Sequence, residues 1–325
     1  MHSDIELRDL INQSIAELEQ NKEPEELYDP ISYSLSVGGK RVRPILCLLS
    51  YQLYNERIDP SVLMPALGLE VFHGFTLLHD DIIDRADIRR GQPTVHKKWG
   101  TNAAILSGDA MCIEAYRLVS QCSSSYLPKI LKVFNKTAAQ VCEGQQLDIN
   151  FENSPIITEE EYLSMIELKT AVLLAAGAKI GGLAAEAPNG DCDWLYRFGL
   201  QLGLAFQIQD DILDTFGDSK VFGKAIGGDI ATNKKTYLLV TALKLAQGND
   251  LKSLNAILKN KEMGKDERYS SVRAIYDKLN VKQHAEKKVN ELFALAIKNL
   301  NNITNNKNRK DELIAFAENL VDRKM

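Results

Sequence analysis

No two of the five cysteines in this 325-residue chain, at 47, 112, 122, 142 and 192, form a CxxC pair, and their number is odd. Most lie in apolar surroundings such as LCLLS and AMCIEAY. That excludes a disulfide framework and reads as reduced structural thiols of a cytosolic protein. A basic excess is also missing: 39 Lys and Arg stand against 44 Asp and Glu, a net charge of -5, which excludes a general nucleic-acid binder. The start, MHSDIELRDLINQSIAELEQ, lacks the basic-then-apolar order of a secretory signal. No uninterrupted apolar run reaches the roughly 20 residues that cross a bilayer. Residues 62–79 are broken by Pro65, Glu70 and His73, and 171–187 by Lys179 and Glu186. The expectation is a cytoplasmic protein that does not span a membrane. Alternating strand segments, short-period repeats and long biased linkers are missing too, so the chain reads as one domain over 1–325.

What is present is helical almost throughout, and 45% hydrophobic residues suffice for a sizeable core. Ile5, Leu7, Leu10, Ile11, Ile15 and Leu18 recur near a 3.6 period over residues 3–20. Gly38-Gly39 breaks the chain, and Pro44 suits the first turn of the next helix. A long apolar helix leads to Asp80–Asp84, and the polar stretch 87–101 (DIRRGQPTVHKKWGT) reads as a loop. Helices follow from about 102 and over about 127–148. Thr158 with Glu161 forms a capping box opening a helix that runs on through 168–170 into AVLLAAGAKIGGLAAEA, whose small residues allow close helix approach. Pro188-Asn189-Gly190 is a turn, a further helix ends in a second acidic cluster, and 217–229 is a Gly-rich loop bearing lysines. The fold class is all-α: one large bundle whose central helices are apolar all round.

Two acidic clusters, Asp80-Asp81-Ile82-Ile83-Asp84 and Asp210-Asp211-Ile212-Leu213-Asp214, each close an apolar run. Ionised carboxylates on apolar helical ground need partners or a metal. On a helix Asp80 stacks on Asp84 and Asp210 on Asp214, with Asp81 and Asp211 to one side. One such DDxxD alone reads as a solvated helix end. Two facing each other would hold Mg²⁺ ions, which take one or two carboxylates plus substrate phosphates. Cations sit where a phosphate binder needs them: Lys40, Arg41 and Arg43 after the glycine pair, and Arg89-Arg90 after the first cluster. They imply two anion sites, one bridged by metal and one held by Lys and Arg.

These residues resemble the trans-prenyltransferases, the isoprenyl diphosphate synthases of the polyprenyl synthetase family. The match runs through GGKRVRP at 38–44, EVFHGFTLLHDDIID at 70–84, RRGQPTVH at 89–96, GD at 108–109 and GQQLD at 144–148. It continues through LKTAVLL at 168–174, GLAFQIQDDILD at 203–214, GKAIGGDI at 223–230 and KKT at 234–236. The resemblance implies the isoprenoid synthase fold with a central active-site cavity, about three Mg²⁺ ions per site acting as Lewis acids and template, and a homodimer. It also implies head-to-tail condensation of isopentenyl diphosphate with allylic diphosphates. Asp80, Asp84 and Asp210 would ligate metal, supported by Asp81, Asp211 and Asp214. Arg89, Lys169, Lys224 and Lys234 would add charge at the leaving diphosphate. Lys40, Arg43, His73 and Arg90 would hold isopentenyl diphosphate, although His73 taken alone reads as a satisfied core histidine. Thr170 and Gln207 would turn oxygen dipoles on the cation. No protein base is assigned.

Product length rests on the helix before Asp80. Phe75, five residues back, lies roughly 7.5 Å along the axis, and Thr76, four back, is small. One aromatic there, with no insertion in DDIID, resembles enzymes that make geranylgeranyl diphosphate (C20), and Phe72 is a candidate second floor. A C15 stop at farnesyl diphosphate is the alternative, and both Phe could be ordinary core residues. A terpene cyclase fits less well, because the second DDxxD and GGKRVRP are both kept. A non-catalytic partner subunit would be expected to have lost part of the Asp and Arg set.

Overall fold

The computed structural model describes residues 2–18, 22–152, 154, 156–217, 227–260, 262–303 and 307–322. Among the described residues the chain is all-α apart from one small hairpin. Its contacts gather into two compact units: residues 1–136, 173–199 and 299–316 in the first, and 137–172, 200–298 and 317–325 in the second.

In the first unit, α1 (Asp4–Leu18) buries Leu7, Ile11 and Ile15 of the stripe the sequence periodicity predicts, whereas Leu10 and Leu18 are half-buried and Ile5 is 63% exposed. A helix the sequence reading passed over, α2 (Glu25–Ser36), precedes α3 (Val42–Gln52), which places Pro44 in the first turn as expected. The long helix α4 (Pro60–Ile83) starts at a cap: Asp59 accepts from the Ser61 amide at 2.8 Å, and Pro60 occupies the first position. By length and composition α4 could cross a bilayer, but 61% of its apolar window is buried within the protein, which makes it a core helix. Its principal neighbour is α6 (Thr101–Val119). Each fully buried Leu, Val or Phe side chain along this seam contributes about 1.5–3 kcal/mol. Small residues work as predicted on α9 (Val172–Ala184). A Cβ at Gly177 would stand 3.0 Å from the Arg43 carbonyl, and one at Gly181 would collide with that of Cys47.

The stretch 87–101 is not a plain loop. Ile88–Arg89 and Gln92–Pro93 form an antiparallel hairpin, followed by the short helix α5 (Val95–Trp99). Arg90 and Gly91 at the tip both have positive φ, +52° and +76°, as a two-residue I′ turn demands. Two-residue strands leave no period to read, so the sequence hid them.

In the second unit the capping box is present: the Glu161 amide donates to Thr158 Oγ1 at 3.1 Å and the Thr158 amide to Glu161 Oε2 at 2.7 Å, opening α8 (Glu159–Ile166). The helix does not run on as a regular α-helix. Residues Glu167–Ala171 form a π-turn. Gly144, on α7 (Leu127–Glu152), lies flat against this turn, and a Cβ there would collide with the Lys169 backbone. The second acidic cluster lies near the end of α10 (Asn189–Phe216).

Candidate active site

The first acidic cluster belongs to the end of α4. Asp84 caps that helix, its amide bonded to the Asp80 carbonyl at 2.8 Å, so Asp80 and Asp84 keep the one-turn stacking read from sequence. Asp81 is turned inward and is 4% exposed. It is gripped by Arg89: Nε donates to both carboxylate oxygens at 2.8 and 2.9 Å, and Nη2 lies 2.6 Å from Oδ1. The same Nη2 reaches toward Asp80 Oδ2 at 3.8 Å. Burial alone would lower the Arg89 pKa. The hydrogen bonds and charge of Asp81, with Asp80 and Asp84, outweigh it and hold the group above its ordinary value.

Cations crowd the same unit. Gly38 and Gly39 have φ of +79° and +150°, and a Cβ at Gly39 would stand 2.6 Å from Arg90 Nη1, so the guanidinium of Arg90 lies over bare backbone. Burial pulls the pKa of Arg43 down to about 10, and Glu70's opposing charge does not restore it. His73 is pushed well below its usual value, by burial first and then by Arg43, Arg90, Arg89 and Arg41. Its imidazole is therefore neutral at pH 7. Lys40 is exposed beside them on the glycine turn. Thus Arg43, His73 and Arg90 belong to one neighbourhood, and Lys40 follows Gly39, over which Arg90 lies.

An aromatic row stands on α4. Phe75 meets His79 edge-on at 4.9 Å between ring centroids, and Phe72 meets Phe75 at 5.4 Å. Phe134 of α7 lies 5.3 Å beyond Phe72, and Tyr116 4.9 Å beyond Phe134. Phe72 is fully buried, whereas Phe75 and Thr76 are half-buried, and Thr76 turns its hydroxyl to the His73 carbonyl at 2.8 Å.

The second cluster is built differently. Asp211, 4% exposed, accepts from Tyr162 Oη at 2.5 Å, the Tyr237 amide at 2.9 Å and Gln207 Nε2 at 3.2 Å. Tyr237 opens the helix Tyr237–Leu245, so its amide has no partner within that helix. Gln207 in turn accepts from Thr170 Oγ1 at 3.0 Å. Asp214 Oδ2 accepts from the Asp229 amide at 3.0 Å. Burial, then the charge of Asp229, lifts Asp211 to about 7. The same two causes, with Asp210 adding to them, lift Asp214 to about 6. Lys234 Nζ lies 3.9 Å from Asp229 Oδ1. Lys169 pairs with Asp148 at 2.5 Å. Lys224 lies outside the described residues.

Sequence reasoning missed Glu70, Asp148, Tyr162, Asp229 and Tyr237. Asp148 and Asp229 were visible as the ends of GQQLD and GKAIGGD. The two tyrosines gave no signal, because only folding brings them to Asp211.

The donor set suits Mg²⁺. The oxygens come as carboxylate pairs one helical turn apart, Asp80 with Asp84 on α4 and its cap and Asp210 with Asp214 on α10. Two carboxylates are what Mg²⁺ takes from protein when phosphates complete its shell. The upward-shifted Asp211 and Asp214 mark a place that gains from a cation.

Comparison with known proteins decides the family. The polyprenyl synthetase profile matches residues 24–279. The chain belongs to the polyprenyl synthetase family. It is therefore a prenyltransferase of isoprenoid biosynthesis, and the cyclase and non-enzyme alternatives fall. It is 41% identical over 236 residues to a geranylgeranyl diphosphate synthase of Methanosarcina mazei, covering 72% of each chain. It is 38% identical to a geranylfarnesyl diphosphate synthase of Natronomonas pharaonis, covering 77% of each. A crystal structure of a geranylgeranyl pyrophosphate synthase superposes with a TM-score of 0.94 at 38% identity over 100% of both chains. The helical fold is that of the polyprenyl synthases.

Proposed function

We propose that this prenyltransferase condenses isopentenyl diphosphate with allylic diphosphates to make geranylgeranyl diphosphate (C20). The observation that carries the reading is the guanidinium charge around His73, where Arg43, Arg90, Arg89 and Arg41 all depress the imidazole: Arg89 is paired with Asp81 and Arg41 with Glu70, and Arg43 and Arg90 complete the cluster. Such a neighbourhood calls for a multiply charged anion, and Arg89 links it to the first acidic cluster.

Asp80, Asp84 and Asp210 would hold Mg²⁺, with about three ions per site. When bound, the metal supplies Lewis-acid neutralisation of the leaving diphosphate. Lys169, Lys234 and Lys224, with Arg89, bind the allylic diphosphate and balance its charge as the C–O bond breaks and the electron pair leaves with diphosphate. Thr170 and Gln207 turn oxygen toward the allylic carbons. Lys40, Arg43 and Arg90 hold isopentenyl diphosphate, with His73 as a neutral hydrogen-bonding partner. The alkene electron pair forms the new C–C bond, and the proton released passes to the departing diphosphate. Asp81 keeps Arg89 in place, and Asp211 keeps Gln207 in place. The working protein is proposed to be a cytoplasmic homodimer, each chain a single polyprenyl synthetase domain.

Phe75, backed by Phe72, is proposed as the floor that ends growth at C20. The test is a Mg²⁺-dependent assay with labelled isopentenyl diphosphate and each allylic starter, with products separated by length. One C20 product supports the reading, a C15 or C25 product moves the floor, and no product refutes it. Phe75→Ala must lengthen the product; an unchanged product removes Phe75 from that role.

A further inference from the structure

Arg41 sits between Lys40 and Arg43 in sequence but does not join them. It turns inward and is 5% exposed. All three of its guanidinium nitrogens are engaged: Nη1 with Glu70 Oε1 at 2.9 Å, Nη2 with the Leu35 carbonyl at 2.7 Å, and Nε with Asn12 Oδ1 at 3.0 Å. These contacts draw on α1, α2 and α4 at once. Arg41 also carries a φ of +50° at the N-cap of α3, in the left-handed region that a long side chain rarely takes. Such a conformation persists when its surroundings over-determine it. Gly38, Gly39 and Arg41 thus give three positive-φ residues flanking Lys40, and Arg41 itself is held inward.

Glu70 is 4% exposed and lies one helical turn before His73 on α4. Its Oε2 is buried without a hydrogen-bond partner, and so is Arg43 Nε. The Glu70 charge favours the cationic state of both Arg43 and Arg90. A buried carboxylate with one oxygen unsatisfied is costly unless surrounding positive charge repays it. Here that charge is the cation set assigned to isopentenyl diphosphate.

We propose that Arg41 and Glu70 are positioning residues of the isopentenyl diphosphate site: their buried pair locks the glycine turn so that Lys40 and Arg43 meet the diphosphate, while Glu70 keeps Arg43 and Arg90 together in spite of their mutual repulsion. The inference rests on the proposed binding role of Lys40, Arg43, His73 and Arg90. Neither Arg41 nor Glu70 touches substrate.

The experiment is steady-state kinetics on purified Arg41→Gln, Glu70→Gln and Arg41→Lys, on the double variant Arg41→Met with Glu70→Leu, and on Arg43→Gln. Removing one partner strands a buried charge and could unfold the chain, whereas the apolar double variant strands none. The expected result is a KM for isopentenyl diphosphate raised roughly tenfold or more, the size of loss seen when an outer-shell partner is removed. KM for the allylic substrate and kcat at saturation should change little. The folded double variant should keep the raised KM, and Arg41→Lys, which retains the charge but not the fork, should fall between it and the unaltered protein. A double variant with an unaltered KM overturns the inference and leaves the binding reading standing, provided that Arg43→Gln raises KM. Equal rises in both KM values, tracking lost thermal stability, also overturn it by showing a structural pair. If Arg43→Gln leaves KM for isopentenyl diphosphate unchanged, the binding reading itself fails and the inference falls with it.

Discussion

The two DDxxD clusters are near copies in sequence and opposites in setting. In the first, the inward-turned Asp81 is matched by a cation: Arg89 binds it through Nε and Nη2. In the second, the inward-turned Asp211 is matched by neutral donors, two tyrosines and a glutamine, and is lifted to about 7 by burial and by Asp229. The first neighbourhood carries surplus positive charge and the second surplus negative charge. The difference teaches that the middle aspartate of each motif is not a spare ligand. It is hydrogen-bonded to a side chain proposed to act on substrate, Arg89 in one case and Gln207 in the other. On that proposal the flanking aspartates are the ones that would hold metal.

The largest expected effects come from the flanking positions, where the clusters should behave alike. Asp80→Ala and Asp210→Ala should each lower kcat by about 10³-fold, the scale for losing a group that stabilises transition-state charge. Helical circular dichroism should not change. Chelation of the unaltered enzyme should abolish turnover, and added Mg²⁺ should restore it. Full activity after exhaustive chelation would remove the metal from both clusters.

The middle positions should then separate the two. Tyr162→Phe removes one hydrogen bond to a charged group, about 1.5–3 kcal/mol, and should lower kcat roughly tenfold by loosening Asp211 and Gln207. Asp81→Asn should instead raise KM for the allylic substrate, because Arg89 loses its anchor. If both variants gave the same kinetic profile, the contrast between the clusters would fail.

A smaller effect sharpens the second side alone. Gly144→Ala forces a methyl into the backbone of the π-turn that presents Lys169 and Thr170. Overpacking of this kind costs about 1–3 kcal/mol. Thermal stability and kcat should fall together, while KM for isopentenyl diphosphate, proposed to depend on Lys40, Arg43 and Arg90, should not move. An unchanged melting temperature would mean that the turn yields at no cost.

Much of this was legible in the chain. The carboxylate stacking, the Pro44 start, the Thr158–Glu161 box and the small-residue face of α9 follow from local periodicity, and the structure has each of them. The hairpin at 88–93 was not legible, because strands of two residues have no period. The π-turn was not either: Gly144, which leaves room for it, lies 25 positions away from Lys169 on another helix. Partners such as Tyr162, Tyr237 and Glu70 are chosen by tertiary proximity, and composition does not announce them. Sequence places Arg41 in the basic segment 38–44, and nothing in it announces that this side chain turns inward to Glu70.

The mildest test concerns the cationic side and is read by acid titration of stability. His73 is held neutral, its folded pKa well below 6.5, by burial and by the surrounding arginines. In the unfolded chain this histidine takes up a proton as pH falls through about 6.5; in the folded protein it does not. The unfolded state then binds more protons, so stability falls as pH drops below about 6.5 and is unaffected by this group above it. The loss is at most about 1.4 kcal/mol per pH unit until the folded pKa is reached. His73→Gln abolishes the titration and keeps a neutral polar side chain. The melting temperature of the unaltered protein should therefore fall more steeply than that of the variant between about pH 6.5 and 5, with parallel curves at higher pH. Identical slopes throughout would mean that His73 titrates in the folded protein as it does in the unfolded chain, and the surplus of positive charge that distinguishes the first cluster would be disproved at its centre.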